Sequence, residues 1–132
     1  MKVFLGGTIN GSRWRDELIA KLKIDYFNPV VDDWDENAQL IEEREKESSD
    51  FLLFVLTPLM KCVFSVAEVV DASNKTPEKT IFCVLDSDGG LSWDEDQIKA
   101  FDAVSRMVES NGALVFDSLD EIADYLNGSS LL

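Results

Sequence analysis

Apolar and polar positions along this chain follow two alternating rhythms. Short, nearly unbroken apolar runs occur at residues 2–5, 24–27, 51–56, 80–85 and 113–116. Runs of that length, bounded by turn residues, predict strands buried on both faces. Between them the period changes to that of a helix. Trp14, Leu18, Ile19 and Leu22 share one face of a helix over 14–22, and 35–48 reads as a polar helix. Further helices are expected over 64–72, over 92–109 with Ile98, Phe101, Val104 and Val108 in register, and over 118–126. Strands alternating with helices predict an α/β domain built on a parallel sheet, with helices on both faces and the winding order 2-1-3-4-5. One domain over 1–127 is expected, followed by a frayed tail at 128–132, with no internal repeat or linker.

That topology says where a ligand belongs. In an open α/β sheet the site lies beyond the carboxyl ends of the strands, where the winding reverses, here between the first and third strands. The first strand runs into Gly6-Gly7-Thr8, whose small residues leave room for a ligand beside the backbone. The third strand ends at Thr57-Pro58, and the helix after it carries Glu68 about one turn in. A carboxylate there is favoured by the helix dipole and is a workable nucleophile. The structural alternative is a helix cap, because Ser65-x-x-Glu68 has the capping-box spacing also found at Ser92-x-x-Glu95 and Ser118-x-x-Glu121. Only Glu68 belongs to the helix beside the reversal.

The remaining acids sort by strand end. Asp50 precedes the third strand, at the edge opposite the site, and reads as structural. Asp32 and Asp33 follow the second strand on the correct edge, beside Trp34, whose flat ring suits a stacked base; the alternative is a turn capping the helix that follows. Asp86-Ser87-Asp88-Gly89 reads as a turn, since it lacks the further ligand before the glycine that a calcium loop requires. Arg13, Arg15 and Lys61 either bring positive charge to the rim, where they would hold a 5′-phosphate, or are solvated surface residues.

Composition narrows the chemistry. A formal charge of -14 over 132 residues opposes binding to nucleic acid or to anionic membranes. The absence of histidine removes Ser-His-Asp and Cys-His catalysis, so carboxylates must carry any acid-base work. Cys62 and Cys83 fit no metal-ligand spacing, Cys83 reads as a small core residue, and no metal is expected. The glycines fit neither a dinucleotide fingerprint nor a P-loop, and no cofactor is expected. With no signal peptide or membrane span in the pattern, a cytoplasmic protein is expected.

In order, Val3-Phe4-Leu5-Gly6-Gly7, Trp14, Phe27-Asn28-Pro29 with Asp32-Asp33-Trp34, Asp50 heading an apolar strand, and Glu68 in the next helix resemble the nucleoside 2-deoxyribosyltransferase-like family. The resemblance covers about the first 85 residues. It implies a flavodoxin-like fold, a nucleoside or nucleotide substrate, and Glu68 as the nucleophile towards the anomeric carbon. It further implies Asp33 as a catalytic residue that hydrogen-bonds the sugar or base, with Gly6, Gly7, Thr8, Asn10, Asn28, Trp34 and Ser65 around the substrate, and a homo-oligomer whose subunits complete each other's pockets. The chain departs from its relatives at Val30-Val31, where arginines are common, and at Val69, where a glycine is common. Beside bond cleavage or exchange, two other readings stand: a non-catalytic nucleotide binder and an acidic protein-interaction module.

Overall fold

A computed structural model describes residues 1–128; all but the first residue of the expected tail lies outside the described residues. Five strands, β1 (Lys2–Gly7), β2 (Asp25–Phe27), β3 (Phe51–Leu56), β4 (Thr80–Val84) and β5 (Leu114–Phe116), form one parallel sheet in the order β2-β1-β3-β4-β5. Five helices alternate with them: α1 (Trp14–Ile19), α2 (Glu36–Ser48), α3 (Phe64–Lys75), α4 (Glu95–Ser110) and α5 (Leu119–Leu126). The architecture is flavodoxin-like, with the expected strand order.

Alternation along the central strands divides the core in two. Val3, Leu5, Leu53, Val55, Ile81 and Cys83 pack against Trp14 and Leu18 of α1 and Ile122 and Leu126 of α5. Phe4, Leu52, Phe54, Leu56 and Phe82 point to the other face, against Val69 and Ala72 of α3 and Val108 of α4. Both faces being covered explains why these strands read as continuous apolar runs rather than as alternating ones. Burial raises the Cys83 thiol to about 12, consistent with an inert core residue. The helix α2 is different. None of its residues is buried and none joins either half of the core.

Helix starts follow their caps more than their apolar pattern. Ser118 caps α5 by accepting from the Glu121 amide at 3.2 Å, as its spacing suggests. The start of α4 differs from expectation: Asp94 is the cap, in a reciprocal box with Gln97, and Glu95 is the first helical residue. Ser92 is instead committed to a short antiparallel hairpin in which Ser87–Asp88 pairs with Leu91–Ser92. Gly89 and Gly90, at φ of 58° and 80°, make its two-residue turn, which demands a left-handed backbone at both positions. At the start of α3, Val63 already has helical backbone angles and offers no side-chain cap. Ser65 therefore lies inside the first turn, and the Ser65-Glu68 capping box, the structural alternative for Glu68, is not formed.

The close contact between β1 and β3 sets the geometry of the carboxyl edge. A Cβ on Gly7 would stand 2.0 Å from the Val55 carbonyl oxygen, and Gly7 has a φ of +119°. Gly7→Ala should cost about 3 kcal/mol or more, combining backbone strain with a clash that no rotamer relieves. Gly11, at φ +74° with open space for 4 Å around the place a Cβ would take, is the comparison; Gly11→Ala should cost only about 1 to 2 kcal/mol. Urea unfolding of both variants measures the difference, and equal losses would contradict the close approach.

Candidate functional site

Where β1 and β3 end, the backbone is fastened before it turns away. The Thr8 amide donates to the Val55 carbonyl at 2.9 Å, and the Thr57 amide donates to Thr8 Oγ1 at 3.0 Å. From α1, the buried guanidinium of Arg15 donates to the carbonyls of Leu5 at 3.0 Å, Thr8 at 2.6 Å and Gly7 at 3.1 Å. The Trp14 indole donates to the Thr8 carbonyl at 2.8 Å. Carbonyls that a ligand-facing turn would otherwise leave unpaired are thus satisfied from beneath. Arg15 is therefore neither a solvated residue nor a free phosphate ligand. Burial lowers its pKa to about 10, with the negative charge of Glu42 opposing the shift.

Above this floor opens a cavity of about 470 Å³. Gly6, Gly7 and Thr8 form its base, and the first turn of α3 supplies one wall through Phe64, Ser65 and Glu68. The facing wall comes from Trp34 and from Glu42 of α2. Trp34 and Phe64 approach across the mouth with ring centroids 6.4 Å apart, and both are more than half exposed. A flat aromatic rim over a small-residue floor suits a planar heterocycle. Asn10 lines the rim while its amide donates to the Leu59 carbonyl at 2.7 Å, joining the β1–α1 and β3–α3 loops.

The cavity holds two carboxylates from different helices. Glu68 lies on its wall, 14 % exposed, with Oε2 in an ion pair with Lys46 of α2. Glu42 accepts from the Trp34 indole at 3.0 Å. Its pKa is raised, first by desolvation; the Trp34 hydrogen bond and Lys46 lower it, Glu68 raises it, and Arg15 lowers it. A carboxyl whose pKa is raised by burial thus faces the same space as one paired with a lysine. The two carboxyls therefore sit in different electrostatic environments within one cavity.

The residues singled out from sequence divide into two groups. Gly6, Gly7, Thr8, Asn10, Trp34, Ser65 and Glu68 all line the cavity. Asp33 and Asn28 do not. Asp33 is exposed, and Asn28 Oδ1 accepts from the Val30 amide at 3.1 Å, turning the chain after β2 and leaving Pro29 to face the cavity. Asp35 caps α2, accepting from the Ala38 amide at 2.8 Å, so neither Asp32 nor Asp33 serves as that cap. Asp50 Oδ2 accepts from the Lys2 amide at 2.8 Å at the far edge, a structural role. Arg13 is exposed and paired with Asp16 at 2.9 Å, whereas Lys61 lines the rim. Among the described residues, no group of three histidine, cysteine or acidic side chains is placed to hold a metal ion.

Sequence reasoning missed Glu42 and Lys46. They are four apart in a helix that reads as solvated throughout. The available signal was their spacing together with that of Ala38 and Glu45, which puts a stripe of partly covered positions on one side of α2.

The raised pKa of Glu42 makes stability depend on pH. Below the ordinary value of 4.5, its carboxyl is protonated in folded and unfolded chains alike, and Glu42→Gln should match wild type. As pH rises through the raised folded value, wild type must ionise a partly desolvated group and should lose stability relative to Glu42→Gln. Thermal melts of both proteins from pH 4 to 8 check this; curves that stay parallel would contradict it.

Residues 1–87 match the family described as nucleoside 2-deoxyribosyltransferase like. The match takes in β1 to β4 and every residue lining the cavity. No curated protein and no solved structure matches the chain.

Proposed function

The chain belongs to the nucleoside 2-deoxyribosyltransferase-like family, and on that premise we propose that it cleaves or exchanges the N-glycosidic bond of a nucleoside or nucleotide through Glu68. The observation that carries this reading is the pairing, in one cavity, of a lysine-held carboxylate with a carboxyl whose pKa is raised. Glu68 attacks the anomeric carbon, the bond to the base nitrogen breaks, and the base leaves with the electron pair. Glu42 delivers the proton that the departing base requires. A second base or a water then attacks the glycosyl ester and frees Glu68. Trp34 and Phe64 hold the base, and the floor at Gly6 to Thr8 receives the sugar.

Glu68→Ala should lower release of free base by more than about a thousandfold, because the covalent route has no other nucleophile. Glu95→Ala, at the exposed start of α4, should leave turnover unchanged. Chromatography of reactions with a panel of nucleosides and nucleotides measures both. A 2-fluoro sugar analogue should leave a glycosyl mass on the peptide containing Glu68. Wild-type turnover by Glu68→Ala, or a label elsewhere, would overturn the assignment; binding without cleavage by every form would establish a binder.

The exposed apolar residues around the mouth, Val30, Val31, Trp34, Val63 and Phe64, support the further reading that a second copy closes the cavity. Light scattering at micromolar concentration should then report an oligomer, with specific activity falling on dilution. A monomer whose activity is independent of concentration would exclude it.

A further inference from the structure

We infer that Lys46 is a positioning residue for Glu68, clamping one carboxylate oxygen so that the other is presented to the reacting carbon; this rests on the glycosidic reading above. Three observations carry it.

Lys46 pairs with Glu68 Oε2, while none of the hydrogen bonds among the described residues engages Oε1. The carboxylate is therefore fixed at one oxygen and free at the other, on the wall of the cavity. A glutamate side chain has three rotatable bonds and loses substantial entropy when held in one geometry, so an attacking oxygen needs an external restraint to stay in place. Next, Lys46 does not line the cavity itself. Its ammonium lies 5.5 Å from the centroid of the Phe4 ring, and the lysine is 27 % exposed, behind Glu68 rather than beside the substrate. It acts through Glu68 and does not itself face the cavity.

The third observation is its place on α2. Lys46 is one turn beyond Glu42 and opposes the rise in the Glu42 pKa. The groups facing Glu42 are the Trp34 indole from the preceding loop, Lys46 from α2 itself, Glu68 from α3 and Arg15 from α1. One ammonium thus serves both carboxylates, restraining the nucleophile and limiting how tightly the acid holds its proton. The backbone around Lys46 is itself anchored, since Lys79 donates to the carbonyls of Lys46 at 3.0 Å and Ser49 at 3.1 Å.

The test compares Lys46→Met with Lys46→Arg. In Lys46→Met, kcat should fall about ten- to a hundredfold, the scale of one hydrogen bond to a charged group, with KM within about twofold because no substrate contact is lost. The alkaline limb of the kcat profile should also move to higher pH, since Glu42 loses a neighbouring positive charge. Lys46→Arg should restore most of kcat and return the limb. A KM defect with kcat intact, an unmoved limb, or no rescue by arginine would overturn the inference. Side-chain couplings of Glu68 measured by NMR decide the clamp without reference to activity: one rotamer in wild type and Lys46→Arg, averaging in Lys46→Met. An unchanged Glu68 rotamer in Lys46→Met would overturn the clamp. Absence of cleavage by wild type would defeat the glycosidic reading instead, leaving the clamp to stand or fall on the couplings.

Discussion

The hydrogen bonds of Arg15 fix the end of β1, and the rest of the carboxyl edge is arranged around them. A buried guanidinium gives up hydration at considerable cost and holds its place only where its donors find good acceptors. Here it donates to three carbonyls at the strand end and in its loop, those of Leu5, Gly7 and Thr8. Beside them Gly7 packs so closely against its β3 partner Val55 that no Cβ would fit. With the turn held from below, Thr8 can reach across to the Thr57 amide and fix the start of the β3–α3 loop. Glu68 stands where it does because that loop delivers α3 to one place.

The opposite wall of the cavity is held by different physics. Inward positions on α2 are Ala38, Glu42, Glu45 and Lys46, and the helix is fastened by Lys2 to Glu45 at 2.5 Å, Lys46 to Glu68 and Lys79 to the carbonyls at its end. These are partly exposed pairs, which contribute less than apolar burial and weaken with salt. Trp34 joins the same system through Glu42. One wall is thus continuous with the core, and the other is attached to it by charge.

That difference explains what could be read from the sequence and what could not. Strands such as Phe51–Leu56 were legible because burial on both faces leaves an unbroken apolar run, and the parallel winding followed from their alternation with helices. Glu68 was legible by position, one turn into the helix beside the reversal. Asp33 was misplaced from the cavity because residues 28–35 have no period to follow: Asn28 turns the chain and Asp35, rather than its neighbours, caps the helix. Glu42 and Lys46 were hidden because a polar stripe covered by other polar groups looks like a solvated face. Arg15 was hidden for a related reason, since its acceptors are main-chain carbonyls and leave no trace in residue identity. The hairpin at Ser87 to Ser92 is too short to show alternation.

A helix that brings Glu42 to the wall of the cavity yet belongs to neither half of the core separates two kinds of evolutionary change. Substitutions on α2 and its leading loop change the lining of the cavity while leaving the apolar packing that folds the chain untouched. Substitutions at Gly7 or Arg15 cannot be made without disturbing the sheet. The α2 side of the cavity, Glu42 and its neighbour Lys46 included, is thus free to diverge in descendants of this scaffold while the sheet beneath it stays the same.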